Sequence, residues 1–93
     1  ILPVGEEPSG RSWTGFQSIV SPDRGYLLVY REDNEVSDKH NFQTWLPAGG
    51  KVRLKKILGA GANYLVVRAD CDGRISLDLP EPNSYALYSY RIR

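Results

Sequence analysis

Asp70-Cys71-Asp72-Gly73-Arg74-Ile75-Ser76-Leu77-Asp78-Leu79 contains both of the signals from which this chain is built. In its second half apolar and polar residues alternate: Ile75, Leu77 and Leu79 share one face, and Arg74, Ser76 and Asp78 share the other. A period of two is that of an antiparallel strand with one face buried and one in water. The first half is a turn, because the Asp72-Gly73 pair supplies the positive φ that tight connections need. The stretch therefore predicts a hairpin joining a strand over 64–69 to one over 74–79.

The same pattern extends in both directions. Downstream, Pro80-Glu81-Pro82-Asn83 breaks the ladder, and a last strand over 84–92 places Ala86, Tyr88, Tyr90 and Ile92 on one face and Tyr85, Leu87, Ser89 and Arg91 on the other. Upstream, a strand over 13–20 stops at Ser21-Pro22-Asp23-Arg24-Gly25 and returns over 26–31, which predicts a hairpin. The polar run from Glu32 to Asn41 is too charged to bury and too long for a tight turn, so it is expected as an exposed loop before a short strand over 42–46. Pro47-Ala48-Gly49-Gly50 and Gly59-Ala60-Gly61-Ala62 bracket a strand over 52–58, although 51–58 also admits one or two amphipathic helical turns. Short strands at eight-to-twelve-residue spacing predict an all-β fold, an antiparallel β-sandwich of about seven to eight strands with Greek-key-like order. Residues 1–11, rich in Pro and Gly and without a period, are expected to form a linker or strap from an upstream domain, and 12–93 the sandwich.

The bulk numbers fit one such domain. Ninety-three residues, 41% apolar and 25% charged, sit within the globular range. Twelve Lys and Arg against eleven Asp and Glu leave a net charge of +1, and no stretch gathers basic residues into a block that would neutralise a run of phosphates, so no nucleic acid is expected as a partner. The single Cys71 excludes an intrachain disulfide and a cysteine-based zinc site. No apolar run approaches the roughly 20 residues that span a bilayer, so no membrane is expected either. The chain starts at Ile1, lacks methionine and shows no signal-peptide pattern in its first ten residues, and both ends are expected to be cuts in a longer polypeptide.

Catalytic constellations are hard to assemble from these residues. The only histidine, His40, stands in the most polar loop with no thiol or rigid element beside it. The acidic pairs Glu6-Glu7, Glu32-Asp33 and Asp70/Asp72 fall in connectors, whereas glycoside chemistry needs two carboxylates facing each other across a cleft. The run from Asp33 to Asp38 offers oxygen ligands for calcium but lacks the glycine and closing glutamate of an EF-hand. Gly59-Ala60-Gly61 precedes another strand rather than the helix N-terminus that would hold a phosphate. Cys71 lies between two aspartates, which disfavour its thiolate. No catalytic residue, no metal site and no cofactor is expected, and the isolated domain is read as no enzyme.

The aromatic residues are the better candidates. Sugars stack their C–H faces on Trp and Tyr rings, and Trp13, Trp45 and Tyr26 are the candidate stacking residues, with Asn41 and Gln43 as polar neighbours. The competing reading places Trp13 and Trp45 in the core, and Tyr85, Tyr88 and Tyr90 in the core or in packing between domains.

In order along the chain, Gly25-Tyr26-Leu27-Leu28-Val29-Tyr30-Arg31-Glu32, Trp45-Leu46-Pro47-Ala48-Gly49-Gly50-Lys51-Val52-Arg53-Leu54, Ile57-Leu58-Gly59, Gly73-Arg74-Ile75-Ser76-Leu77-Asp78-Leu79-Pro80 and Tyr85-Ala86-Leu87-Tyr88-Ser89-Tyr90 resemble the C-terminal β-sandwich of retaining glycoside hydrolases of the α-galactosidase (melibiase) type. The resemblance covers roughly residues 12 to 92 and rests on strand order and turn phrases. In those enzymes a (β/α)₈ barrel carries the catalytic aspartates and the sandwich packs on its side. The resemblance thus implies a non-catalytic accessory domain and an upstream catalytic domain of the same polypeptide as partner. It further implies an apolar patch left bare in isolation, a closing hairpin from Leu79-Pro80 to Tyr90, and a periplasmic or extracellular location. Two other readings compete: an autonomous carbohydrate-binding module with an exposed aromatic platform, and an immunoglobulin-like or fibronectin-like adhesion sandwich, whose Cys-Trp-Cys framework in its immunoglobulin form is absent here.

Overall fold

The computed structural model describes residues 2–6, 9–10, 12–33 and 39–92. Among them are eight strands and no helix: β1 (Leu2–Gly5), β2 (Trp13–Ser21), β3 (Arg24–Arg31), β4 (Lys39–Gln43), β5 (Lys51–Gly59), β6 (Tyr64–Arg68), β7 (Arg74–Asp78) and β8 (Ser84–Ile92). They build a sandwich-like pair of antiparallel layers, a six-stranded sheet in the order β1-β2-β3-β8-β5-β6 and a two-stranded sheet β4-β7. The last strand lies inside the large sheet, between β3 and β5. That central place explains why both of its faces are apolar: Ala86, Tyr88 and Tyr90 are buried beneath the small sheet, and Tyr85 and Leu87 stand on the other side.

Alternation decides what each strand buries. From the large sheet, Val4, Leu27, Val29, Val52, Leu54, Ala86 and Tyr88 point inward, and Phe42, Ile75 and Leu77 meet them from the small one in a single core cluster. Few polar groups enter it, and apart from the Tyr88 hydroxyl those described below are bonded, as burial requires. The Gln17 amide donates to Tyr90 Oη at 2.9 Å and accepts the Trp45 main-chain N–H at 3.0 Å, stitching β2 and β8 to the start of the loop after β4. The buried Arg31 guanidinium donates to the Leu79 carbonyl at 2.8 Å.

Four expectations need correction. Leu2–Gly5, within the stretch 1–11 expected as a linker or strap, is an edge strand: it pairs along β2 from Leu2↔Gln17 to Gly5↔Thr14, and Val4 enters the core. The Pro and Gly that read as breaks sit where an edge strand tolerates them, Pro3 on the outermost strand and Gly5 at its end with φ +73°. The turn at Asp70–Gly73 exists, with Gly73 at φ +78°, but it does not close a hairpin. β6 pairs with β5 and β7 with β4, so this turn carries the chain from one sheet to the other. For the same reason Leu79-Pro80 to Tyr90 is not a closing hairpin, since β8 pairs with β3 and β5. The strand expected over 42–46 is displaced to Lys39–Gln43, because His40 and Phe42, one turn of the pleat apart, both face the core. Residues 34–38 of the expected polar loop lie outside the described residues. Over 51–58 the chain is strand throughout, with a bulge between Lys56 and Leu58.

Candidate functional site

No other described element covers the side of the six-stranded sheet turned away from β4-β7, and the strand register arranges its side chains in rows. Residues directly opposite on paired strands share a face. One row runs Thr14, Tyr30, Tyr85. The next runs Pro3, Phe16, Leu28, Leu87, Leu58 and is wholly apolar, with Phe16 and Leu58 more than half exposed. A third runs Ser18, Tyr26, Ser89, Lys55, Tyr64, a fourth Arg24, Arg91, Arg53, Val66, and beyond it Lys51 lies opposite Arg68. The face is thus graded, apolar and aromatic toward one end and cationic toward the other. The third and fourth rows line a groove of about 590 Å³ in which Tyr26 and Tyr64 stand on opposite sides.

A second groove, of about 560 Å³, lies at the β1 edge between Phe16, Thr14, Glu6, Gln43 and Trp45. Trp45 is 56% exposed, yet its ring is held, since the indole N–H donates to the Pro3 carbonyl at 2.7 Å. Gln43 lines the same groove, but its amide is engaged elsewhere, donating to the Asp72 carbonyl at 2.6 Å and accepting from Arg74 Nε at 3.0 Å. Glu6 accepts the Trp13 main-chain N–H at 3.0 Å.

The three candidate stacking residues are therefore not brought together. Trp45 lines the edge groove and Tyr26 the basic groove, while Trp13 is only 5% exposed and belongs to the core. The His40 ring lies parallel to it at 5.2 Å, Phe42 meets it edge-on at 5.8 Å, and the Arg31 guanidinium lies 5.2 Å from its ring centroid. Trp13 is inward-facing at the first position of β2, so it offers no platform to a sugar. Asn41 does not join Trp45: its side chain helps to hold the Asp70 carboxyl below its ordinary range, behind the main-chain N–H groups of Arg74 and Asp72 that dominate that effect.

His40, expected in a solvated loop, sits on β4 against Trp13 and Phe42, and burial lowers its pKa. Its surroundings are those of a packed aromatic side chain. Among the described residues no group of three or more His, Cys, Asp or Glu converges as a metal site would require, and Cys71 is exposed in its turn. Most of the proposed calcium loop lies outside the described residues. Reading along the chain missed the cationic groove, because its members are at 24, 53, 55 and 91 and become neighbours only through β3-β8-β5 pairing. The signal that would have found them is the outward set of each strand taken together: Arg24 with Tyr26, Arg53 with Lys55, and Ser89 with Arg91. Comparison of the chain with models of known protein families, with curated proteins and with solved structures found no match.

Proposed function

We propose that this chain is a non-catalytic accessory β-sandwich of a carbohydrate-active enzyme, docking the apolar half of its outer sheet face on a catalytic domain and stabilising it. The resemblance to the α-galactosidase-type C-terminal sandwich supplies the partner's class, a (β/α)₈ barrel. The observation that carries the reading is the uncovered row Phe16, Leu28, Leu87, Leu58 beside Tyr30 and Tyr85. Contiguous apolar surface of this kind is a mark of interfaces rather than of free surfaces. Two measurements test it. The isolated chain binds the apolar dye ANS more than an ordinary globular control does, and Leu28→Asn with Leu87→Asn removes the excess. Added in trans to a separately produced barrel of the α-galactosidase type, the chain lengthens the barrel's half-life at an inactivating temperature, and the double variant does not. Dye binding at the control level would sink the docking face.

A second reading, an autonomous carbohydrate-binding module, draws on the pinned and exposed ring of Trp45 above Phe16 and Thr14. It predicts saturable quenching of tryptophan fluorescence by a neutral galactoside, lost in Trp45→Ala. A flat response across a panel of glycans leaves the accessory role alone.

A further inference from the structure

Three arginines stand side by side across three adjacent strands: Arg24 lies directly opposite Arg91, and Arg91 directly opposite Arg53. With strands about 4.8 Å apart, the row is about 10 Å long. Lys55 follows in the neighbouring row, opposite Ser89. Like charges directly opposed in a sheet destabilise it. Among the described residues none of these four cations makes an ion pair or a side-chain hydrogen bond, and the outer face carries no carboxylate between them. Asp23, in the β2–β3 turn, feels this charge: its carboxyl is lowered first by the Ser21 hydroxyl and, in smaller part, by Arg91 and Arg24. Around the cations lies the groove of about 590 Å³, with Tyr26 at one side and Tyr64, 71% exposed, at the other. Three strand spacings put the backbones of these two residues about 14 Å apart.

We propose that this groove binds an acidic saccharide, a short run of uronic acid units, with the arginine row taking the carboxylates and the tyrosines taking the sugar faces. A uronate offers in one unit the two chemistries the groove combines. Its planar carboxylate matches the guanidinium fork, and its C–H face matches a phenol ring. The Ser89 hydroxyl, which donates to the Lys55 carbonyl at 3.5 Å, and the exposed Lys55 side chain share the groove's lining and suit ring hydroxyls. A nucleic acid strand fits less well, because the cationic surface is short: beyond the arginine row it continues only to Lys51 and Arg68, the latter already donating to the Gly49 carbonyl at 3.0 Å, and on the other side the row Phe16, Leu28, Leu87, Leu58 has no cation. The site adjoins the rows assigned to docking, with Tyr26 beside Phe16 and Leu28, but its arginine row lies beyond them, and titration of the chain alone tests it whether or not the accessory reading holds.

Calorimetric titration of the chain with tetragalacturonate at low salt tests it. The expected result is saturable binding at one site that weakens as salt rises, with no response to the neutral tetragalactoside. Arg91→Gln lowers the affinity by about tenfold or more, while its urea midpoint stays level or rises because a like-charge contact has been removed. Tyr64→Ala weakens binding without altering the salt dependence. An absent response to tetragalacturonate overturns the proposal, as does an affinity unchanged in Arg91→Gln. Equal or tighter binding of a sulfated heparin fragment or a single-stranded oligothymidylate would overturn it too, by reducing the groove to a general polyanion surface.

Discussion

The hydroxyl of Tyr88 is buried with no hydrogen-bond partner among the described residues, and burial, with a smaller contribution from Asp78, pushes its pKa up. An interior hydrogen bond left unmade costs about 1–3 kcal/mol, so Tyr88→Phe, which keeps the ring, is expected to raise stability by about 1 kcal/mol in urea unfolding. A loss instead would mean that the hydroxyl is engaged. At His40 burial lowers the pKa; Glu6 opposes the shift by charge and Arg74 adds to it. The folded-state pKa then lies below the unfolded one, so the unfolded chain takes up more protons as the pH falls. Stability is therefore full above about pH 6.5 and declines on acidification through the folded-state value. His40→Phe should flatten that part of the urea-midpoint profile while leaving the decline at lower pH, where Asp70, Glu32 and Asp23, each lowered mainly by hydrogen bonds, become protonated. At this scale much was legible: the buried faces of β7 and β8 follow from alternation alone. The burial of Trp13 did not, since a strand pattern says that a residue has a side and not which side is covered.

At the scale of elements, glycine placement separates strain from contact. Gly59 ends β5 with φ +98°, and a Cβ there would meet the Tyr85 carbonyl oxygen of the adjacent central strand at 2.2 Å. Gly10 has φ +89° with open space around it. Both carry the backbone penalty of a side chain at positive φ, about 1 kcal/mol, but only Gly59→Ala must also push two hydrogen-bonded strands apart. Gly59→Ala is expected to cost at least about 2 kcal/mol more than Gly10→Ala in thermal unfolding, and equal costs would show that β5 yields at its bulge. The elements misread along the chain share a cause. Asp72-Gly73 specifies a reversal of the backbone, and whether the strands on either side then pair is settled by which neighbour offers a free edge. β6 found β5, and β7 found β4. Likewise Pro3 and Gly5 say only that a segment is unfit for the middle of a sheet, and β1 takes the one place open to it, an edge.

At the scale of the molecule, the two layers depend on each other. A two-stranded sheet is at best marginal in water, so β4-β7 persists because Phe42, Ile75 and Leu77 are buried against the larger sheet. Phe42→Ala is expected to cost about 3–5 kcal/mol and to shift far-UV circular dichroism and tryptophan fluorescence together in one transition. Two separated transitions would mean that the six-stranded sheet stands alone. The same whole-molecule view gives the near-neutral chain its character: charges that balance to +1 overall are sorted by the fold, with Arg24, Arg53, Lys55 and Arg91 brought to one end of one face.

The sequence by itself determined the class of fold, most of the strands other than β1 and the place of β4, and the inward side of several of them, because those follow from the period of the side chains and the chemistry of turns, both local. It also settled that no thiol pair or histidine cluster is at hand. Only the tertiary structure decided the order of strands, the sheet to which β7 belongs, the burial of Trp13, and the convergence of the arginine row and the apolar row. Each of these is a relation between residues distant along the chain. Such relations are set by which edges and faces remain to be paired once the core has closed, and no local pattern carries that information.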